Sequence, residues 1–152
     1  MKRNKNILLT CLIILTLMIT PISSQTTTTD QSKPTIGVLL SGAGVYDGSE
    51  AQEAILTLLY LDQLGTNIVY LAPNKPQLHV INHNEKTVLK DSTRNVLTES
   101  SRLTRGNVID IKDIKVDSLD ALILPGGFGA AKNLSSFALK GADCSVDPDV
   151  EA

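Results

Sequence analysis

Thr35-Ile36-Gly37-Val38-Leu39-Leu40-Ser41-Gly42-Ala43-Gly44-Val45-Tyr46-Asp47-Gly48-Ser49-Glu50 is the stretch on which the fold turns. Its first third is a short apolar run with β-branched members, closed by Ser41-Gly42, which reads as a buried strand. Gly42 to Gly48 then reads as a glycine-bearing loop. Ser49 and Gln52 stand at capping-box spacing for a helix, with Ala51, Ala54, Ile55, Leu58, Leu59 and Leu61 expected on one face and Gly65 as its stop. Asn67 to Ala72 is a second strand, halted by Pro73. Strand, helix and strand with short links make a βαβ unit, which requires parallel strands and a right-handed crossover.

Working outward, Leu78 to Lys90 alternates weakly about Asn82-His83-Asn84, as a small hairpin would. Arg94 to Arg105 predicts a helix stopped by Gly106, and Val108 to Ile111 a further strand. Leu119 to Leu124 predicts another buried strand, ended by Pro125-Gly126-Gly127, with a helix from Phe128 to Leu139. Asp147-Pro148-Asp149 has the N-cap aspartate and first-turn proline of one more helix. The fold class is therefore α/β, a doubly wound and mostly parallel sheet.

Toward the start of the chain, Lys2, Arg3 and Lys5 precede an apolar run from Ile7 to Ile19, and Pro21-Ile22-Ser23-Ser24 follows. That order fits a signal peptide over 1–24, and the run is shorter than the ~20 residues of a comfortable membrane span. An uncleaved leader is the one membrane contact the sequence offers. Residues 25–34, with four threonines in succession, read as a flexible linker, and 35–152 as the domain. Removing the leader takes away three cations and no acid, leaving the remainder more acidic than the whole chain's −2. No basic stripe is present to neutralise phosphates, which argues against nucleic acid as a partner. Cys11 lies in the leader, so Cys144 is the one thiol of the domain, and an internal disulfide is excluded.

Three groups of residues carry potential chemistry. Gly42, Gly44 and Gly48 are spaced GxGxxxG, and Pro73-Asn74-Lys75 stands where a ribose-binding acid belongs, so a dinucleotide fingerprint fails. Glu50, in the first helical turn, has two readings: a carboxylate favoured by the helix dipole, or a buried acid sharing a proton in a pocket. Gly126-Gly127 either makes a plain tight turn or presents backbone amides to an oxyanion. His79 and His83 are four residues apart on a segment that reads as extended, so the spacing does not make a metal site.

Taken together, Ser41–Glu50 (SGAGVYDGSE), Ile81-Asn82-His83, Thr93 to Leu97, Glu99 to Gly106, and Pro125–Ser135 (PGGFGAAKNLS) resemble the ElbB glyoxalase family. That family, also described as enhancing lycopene biosynthesis or sigma cross-reacting proteins, belongs to the PfpI-type, class I glutamine amidotransferase-like superfamily. The resemblance implies a flavodoxin-like fold, often dimeric, and a cofactor-independent conversion of glyoxal, a small aldehyde, to glycolate. The reaction proceeds by thiol addition and internal redox rearrangement. It assigns Glu50 as the carboxylate beside the reacting thiol, and Gly126 and Gly127 as donors to the oxyanion. Ala43 stands where bacterial relatives often carry cysteine. The family's elbow cysteine falls beyond residue 152, and Cys144 matches an upstream segment. The chain is thus expected to be an incomplete and inactive part of such an enzyme, or else a binding protein of the same fold. An unpaired 119–124 edge is expected to invite association. Eukaryotic relatives are commonly mitochondrial, an alternative to the secretory route implied by the leader. Asn133-Leu134-Ser135 is a glycosylation sequon on that route, and its place after the diglycine turn predicts that Asn133 stays unmodified.

Overall fold

The computed structural model describes residues 32–152; the leader and all but the last residues of the linker lie outside the described residues. Strand β1 (Thr35–Leu39) runs into helix α1 (Ala51–Gln63) and strand β2 (Asn67–Ala72), and β1 and β2 pair in parallel from Thr35↔Asn67 to Leu39↔Leu71. The βαβ unit is therefore present. A hairpin of β3 (Ile81–Asn82) and β4 (Thr87–Val88) follows, then α2 (Val96–Ser100), β5 (Ile109–Asp110) and β6 (Ala121–Ile123). The chain continues through α3 (Phe128–Asn133), α4 (Phe137–Lys140) and α5 (Pro148–Glu151).

The main sheet has the order β5-β2-β1-β6, all parallel. Chain order reverses at β1, whose two sides take β2 and β6. The gap beyond the carboxyl ends of β1 and β6 is therefore the topological switch point, where such sheets bind ligands.

Alternation along β1 feeds both faces. Ile36, Val38 and Leu40 pack with Ala54, Leu61, Ala72 and Val96 on one side, while Leu39 joins Leu71, Ile111 and Leu134 on the other. Val38, Leu39 and Leu40 are fully buried, each stabilising the fold by about 1.5–3 kcal/mol. Gly37 lies beneath Leu119, Leu122 and Leu71, and a methyl there would come within 2.8 Å of Leu119. The second face is the thinner one: a cavity of about 340 Å³ remains between Leu71, Ile111, Ile114, Leu119, Leu122 and Val150.

Several elements differ from the sequence expectation. The cap of α1 is Glu50, whose carboxylate accepts from the Glu53 amide at 2.7 Å, and no Ser49–Gln52 box forms. Ser49 is buried instead, its hydroxyl accepting from the Ser41 amide at 2.9 Å. Of the apolar face assigned to α1, only Ala54 and Leu61 are buried, whereas Ile55 and Leu59 are about half exposed. The helix is apolar nearly all round, so its hydrophobic residues do not decide which stripe meets the sheet. The 94–105 helix shortens to Val96–Ser100 and runs on as turns to Gly106. The 128–139 helix breaks in two, because the Ser135 hydroxyl bonds back to the Ala130 carbonyl at 3.2 Å while Ser135 bridges to Val146. β6 spans three residues and forms one edge of the sheet, with Leu122 and Leu124 nearly half exposed.

Candidate active site

The loop after β1 and the turn after β6 meet at the switch point. Gly42 and Gly44 adopt φ values of 107° and 140°, and the loop closes on itself through Gly44 N–H to Ser49 O (2.8 Å) and Gly48 N–H to Gly44 O (2.7 Å). From α2, the buried Ser100 hydroxyl accepts from the Gly42 amide at 3.0 Å. Its neighbour Glu99 is also buried and is clamped by Arg94 (3.4 Å) and Arg102 (3.2 Å). The 94–102 segment therefore props up the loop.

The diglycine turn is laced to this loop by backbone alone. The Glu50 amide donates to Gly126 O at 2.8 Å, the Phe128 amide to Val45 O at 2.8 Å, and the Gly129 amide to Gly48 O at 2.9 Å. Gly127 has φ 107° and ψ 157°, a region essentially restricted to glycine. A Cβ at Gly127 would sit 2.5 Å from the Glu50 nitrogen. Among the described residues, the amides of Gly126 and Gly127 donate to no carbonyl or side chain, so both remain free for an outside acceptor.

The structure thus brings together the main chain of Glu50, Gly126 and Gly127, but it corrects the picture of a buried Glu50 carboxylate. That side chain is half-buried and spent on the first turn of α1. The carboxylate that reaches Gly126 belongs to Glu53, one turn along the helix and solvent-exposed. Sequence reasoning missed it, because a second acid in a first turn reads as ordinary dipole complementation.

Also missed was Asp47, which is fully buried. Its Oδ2 accepts from the Ile81 amide at 2.7 Å, while Oδ1 lacks a hydrogen-bond partner and faces His83 Nε2 at 3.7 Å. His83 reaches back to the Ile81 carbonyl through Nδ1 at 3.1 Å and lies beside the Tyr46 ring, centroids 5.2 Å apart. His83 therefore belongs to the junction of loop and hairpin. His79 does not join it: its Nδ1 is buried without a partner, and the described residues hold no cluster of three metal-ligating side chains. Asn133 is buried and fully engaged. Its amide donates to Ser41 O (2.8 Å) and Asp47 O (2.9 Å), and its Oδ1 accepts from the Leu78 amide (3.0 Å). Cys144 is exposed and follows the turn Gly141–Asp143, outside this corner.

Sequence comparison finds relatives of this chain. The chain is 47% identical over 116 residues to the human glutamine amidotransferase-like class 1 domain-containing protein 3, mitochondrial, covering 76% of this chain and 43% of that protein. It is 46% identical over 116 residues to the rat ES1 protein homolog, mitochondrial, covering 76% and 44%. Its homologues are class 1 glutamine amidotransferase-like proteins. A crystal structure from Ehrlichia chaffeensis, described as an isoprenoid biosynthesis protein with an amidotransferase-like domain, superposes with a TM-score of 0.70 at 41% identity. It covers 76% of this chain and 54% of that one. The fold is therefore the flavodoxin-like α/β fold of amidotransferase-like proteins. The chain spans less than half the length of these curated relatives. No protein-family model matches it.

Proposed function

We propose that the chain supplies the Glu50 and diglycine part of a cofactor-independent, glyoxalase-like site of the ElbB type, acting on a small aldehyde. The reading rests on the 2.8 Å bond from the Glu50 amide to Gly126 O, which locks two motifs far apart in sequence into one corner at the switch point. The free amides of Gly126 and Gly127 suit the oxygen that gains charge when a thiolate adds to an aldehyde carbon. Such addition needs a thiolate. Cys144, the single thiol among the described residues, lies outside the corner, so the 152 residues as they stand should not turn over glyoxal. Glycolate formation by the purified chain, abolished in Glu50→Gln, would refute that inactivity. For the glyoxalase reading itself, the chain joined to the carboxyl-terminal part of its human relative should convert glyoxal. A folded but inactive hybrid would overturn it.

A binding protein of the same fold is the second reading. It is favoured by the Glu50 carboxylate being spent as a helix cap and by the exposed apolar β6 edge, which suits strand addition by a partner or a second copy. In that case the hybrid stays inactive while the edge captures its partner. The names of the human and rat relatives favour a mitochondrial destination over the secretory route. Residues 1–34 fused to a fluorescent protein should then label mitochondria, and labelling of the secretory pathway would restore the alternative.

A further inference from the structure

A second concave site lies beside the loop and the residue that follows the diglycine turn. It is a cavity of about 370 Å³ between Tyr46, Ile81, Lys86, Phe128, Lys132 and Phe137. Both phenylalanines of the chain and one of its three tyrosines line it. Phe128 and Phe137 are each more than half exposed, although aromatic residues make up only 3% of the sequence. Rings kept at the surface in this way leave a large apolar area uncovered, as ligand pockets do.

The same wall carries positive charge. Lys132 donates to the Tyr46 carbonyl at 2.6 Å and stands 5.6 Å from the centre of the Phe128 ring. Lys86 stands 5.8 Å from the centre of the Tyr46 ring. Neither ammonium lies within 4 Å of a carboxylate among the described residues, whereas Lys75 and Lys112 both pair with aspartates. Lys86 also adopts a left-handed backbone (φ 58°) where its amide closes the hairpin turn onto Asn82 O at 2.7 Å, so the turn geometry fixes where that cation emerges. Two unneutralised cations beside three rings match a ligand with a negative head and a flat apolar body.

We propose that this cavity binds a small aryl or arylalkyl carboxylate, its head at Lys86 and Lys132 and its ring against Phe128 and Phe137. Its volume lies at the lower end of the roughly 300–1,000 Å³ of small-molecule pockets, enough for a ring with a short side chain and larger than glyoxal requires. The site stands apart from the glyoxalase reading, since nothing in it needs a thiol or turnover.

Calorimetric titration of the full chain tests it with 3-phenylpropionate as the probe, against 3-phenylpropan-1-ol and acetate. The carboxylate should bind saturably with one site per chain, and each control about tenfold more weakly, since one lacks the charge and the other the ring. Lys86→Gln should weaken the carboxylate about fivefold and leave the alcohol unchanged, with Lys86→Arg restoring most of the loss. Lys86 is exposed and its ammonium makes no hydrogen bond among the described residues, so these variants keep the fold, which a thermal melt verifies. Absence of saturable binding, an alcohol that binds as tightly as the acid, or a Lys86→Gln variant with unchanged affinity would each overturn the proposal.

Discussion

Replacing Gly127 by alanine perturbs a residue packed directly between the turn and the loop. The residue holds φ 107° and ψ 157°, which costs a side-chain-bearing residue about 1–3 kcal/mol. The added methyl also meets backbone rather than a flexible side-chain tip: it would lie 2.5 Å from the Glu50 nitrogen and against the Gly48 carbonyl. Relief requires the turn and the loop to separate, which breaks the 2.8 Å bond from Glu50 to Gly126 O and costs about 1 kcal/mol more. The sum is about 3 kcal/mol, a large share of the roughly 5–15 kcal/mol that holds a domain together. Gly65 is the internal control, because its φ of 72° is also left-handed but nothing lies within 4 Å of its absent Cβ. Gly65→Ala should cost only the conformational strain, about 1–2 kcal/mol. In urea unfolding, with a slope of about 2 kcal/mol per molar, Gly127→Ala should lower the midpoint by about 1.5 M and Gly65→Ala by about half that. If the two variants shift equally, the steric closure of the corner is not what limits Gly127.

Further outcomes follow from the same geometry. Gly126→Ala should also destabilise, but Glu53→Ala should rescue it, because the obstructing group is a movable carboxylate; thermal melts of the single and double variants show the coupling. Asn133→Ala should cost about 3 kcal/mol by stranding Ser41 O and the Leu78 amide, and Asn133→Asp at least as much, since a carboxylate cannot donate to those carbonyls. With both amide protons of Asn133 engaged and the side chain buried, glycosidase treatment of the folded protein should cause no mass shift at this sequon; a shift lost in Asn133→Gln would contradict that. Leu122→Lys on the outer strand should reduce concentration-dependent association in sedimentation velocity, as charge on an exposed edge disfavours pairing.

The parts of the fold that were legible in sequence are those governed by local rules. Asn67–Ala72 was readable to the residue, because Gly65-Thr66 before it and Pro73 after it punctuate an apolar run. The cap at Asp147 was readable too, since aspartate before proline has few other uses, and its carboxylate does accept from the Asp149 amide at 3.1 Å. The cap of α1 was not, because Ser49 and Glu50 are both competent caps. The choice fell to Ser41, whose amide claims the Ser49 hydroxyl across the loop. Likewise the face of α1 could not be read from a helix that is apolar on most sides.

Sequence alone determined that a parallel α/β sheet would form and that glycine turns would end β1 and β6, because apolar runs, caps and φ-permissive residues act over a few positions. Only the tertiary structure decided which carboxylate meets the diglycine turn, that Asp47 and not Glu50 is the buried acid of the loop after β1, and that two lysines and three rings share one wall. Those outcomes depend on where segments 34 to 86 residues apart come to rest, and on how far a side chain reaches once its backbone is held. Residue type and spacing carry neither quantity.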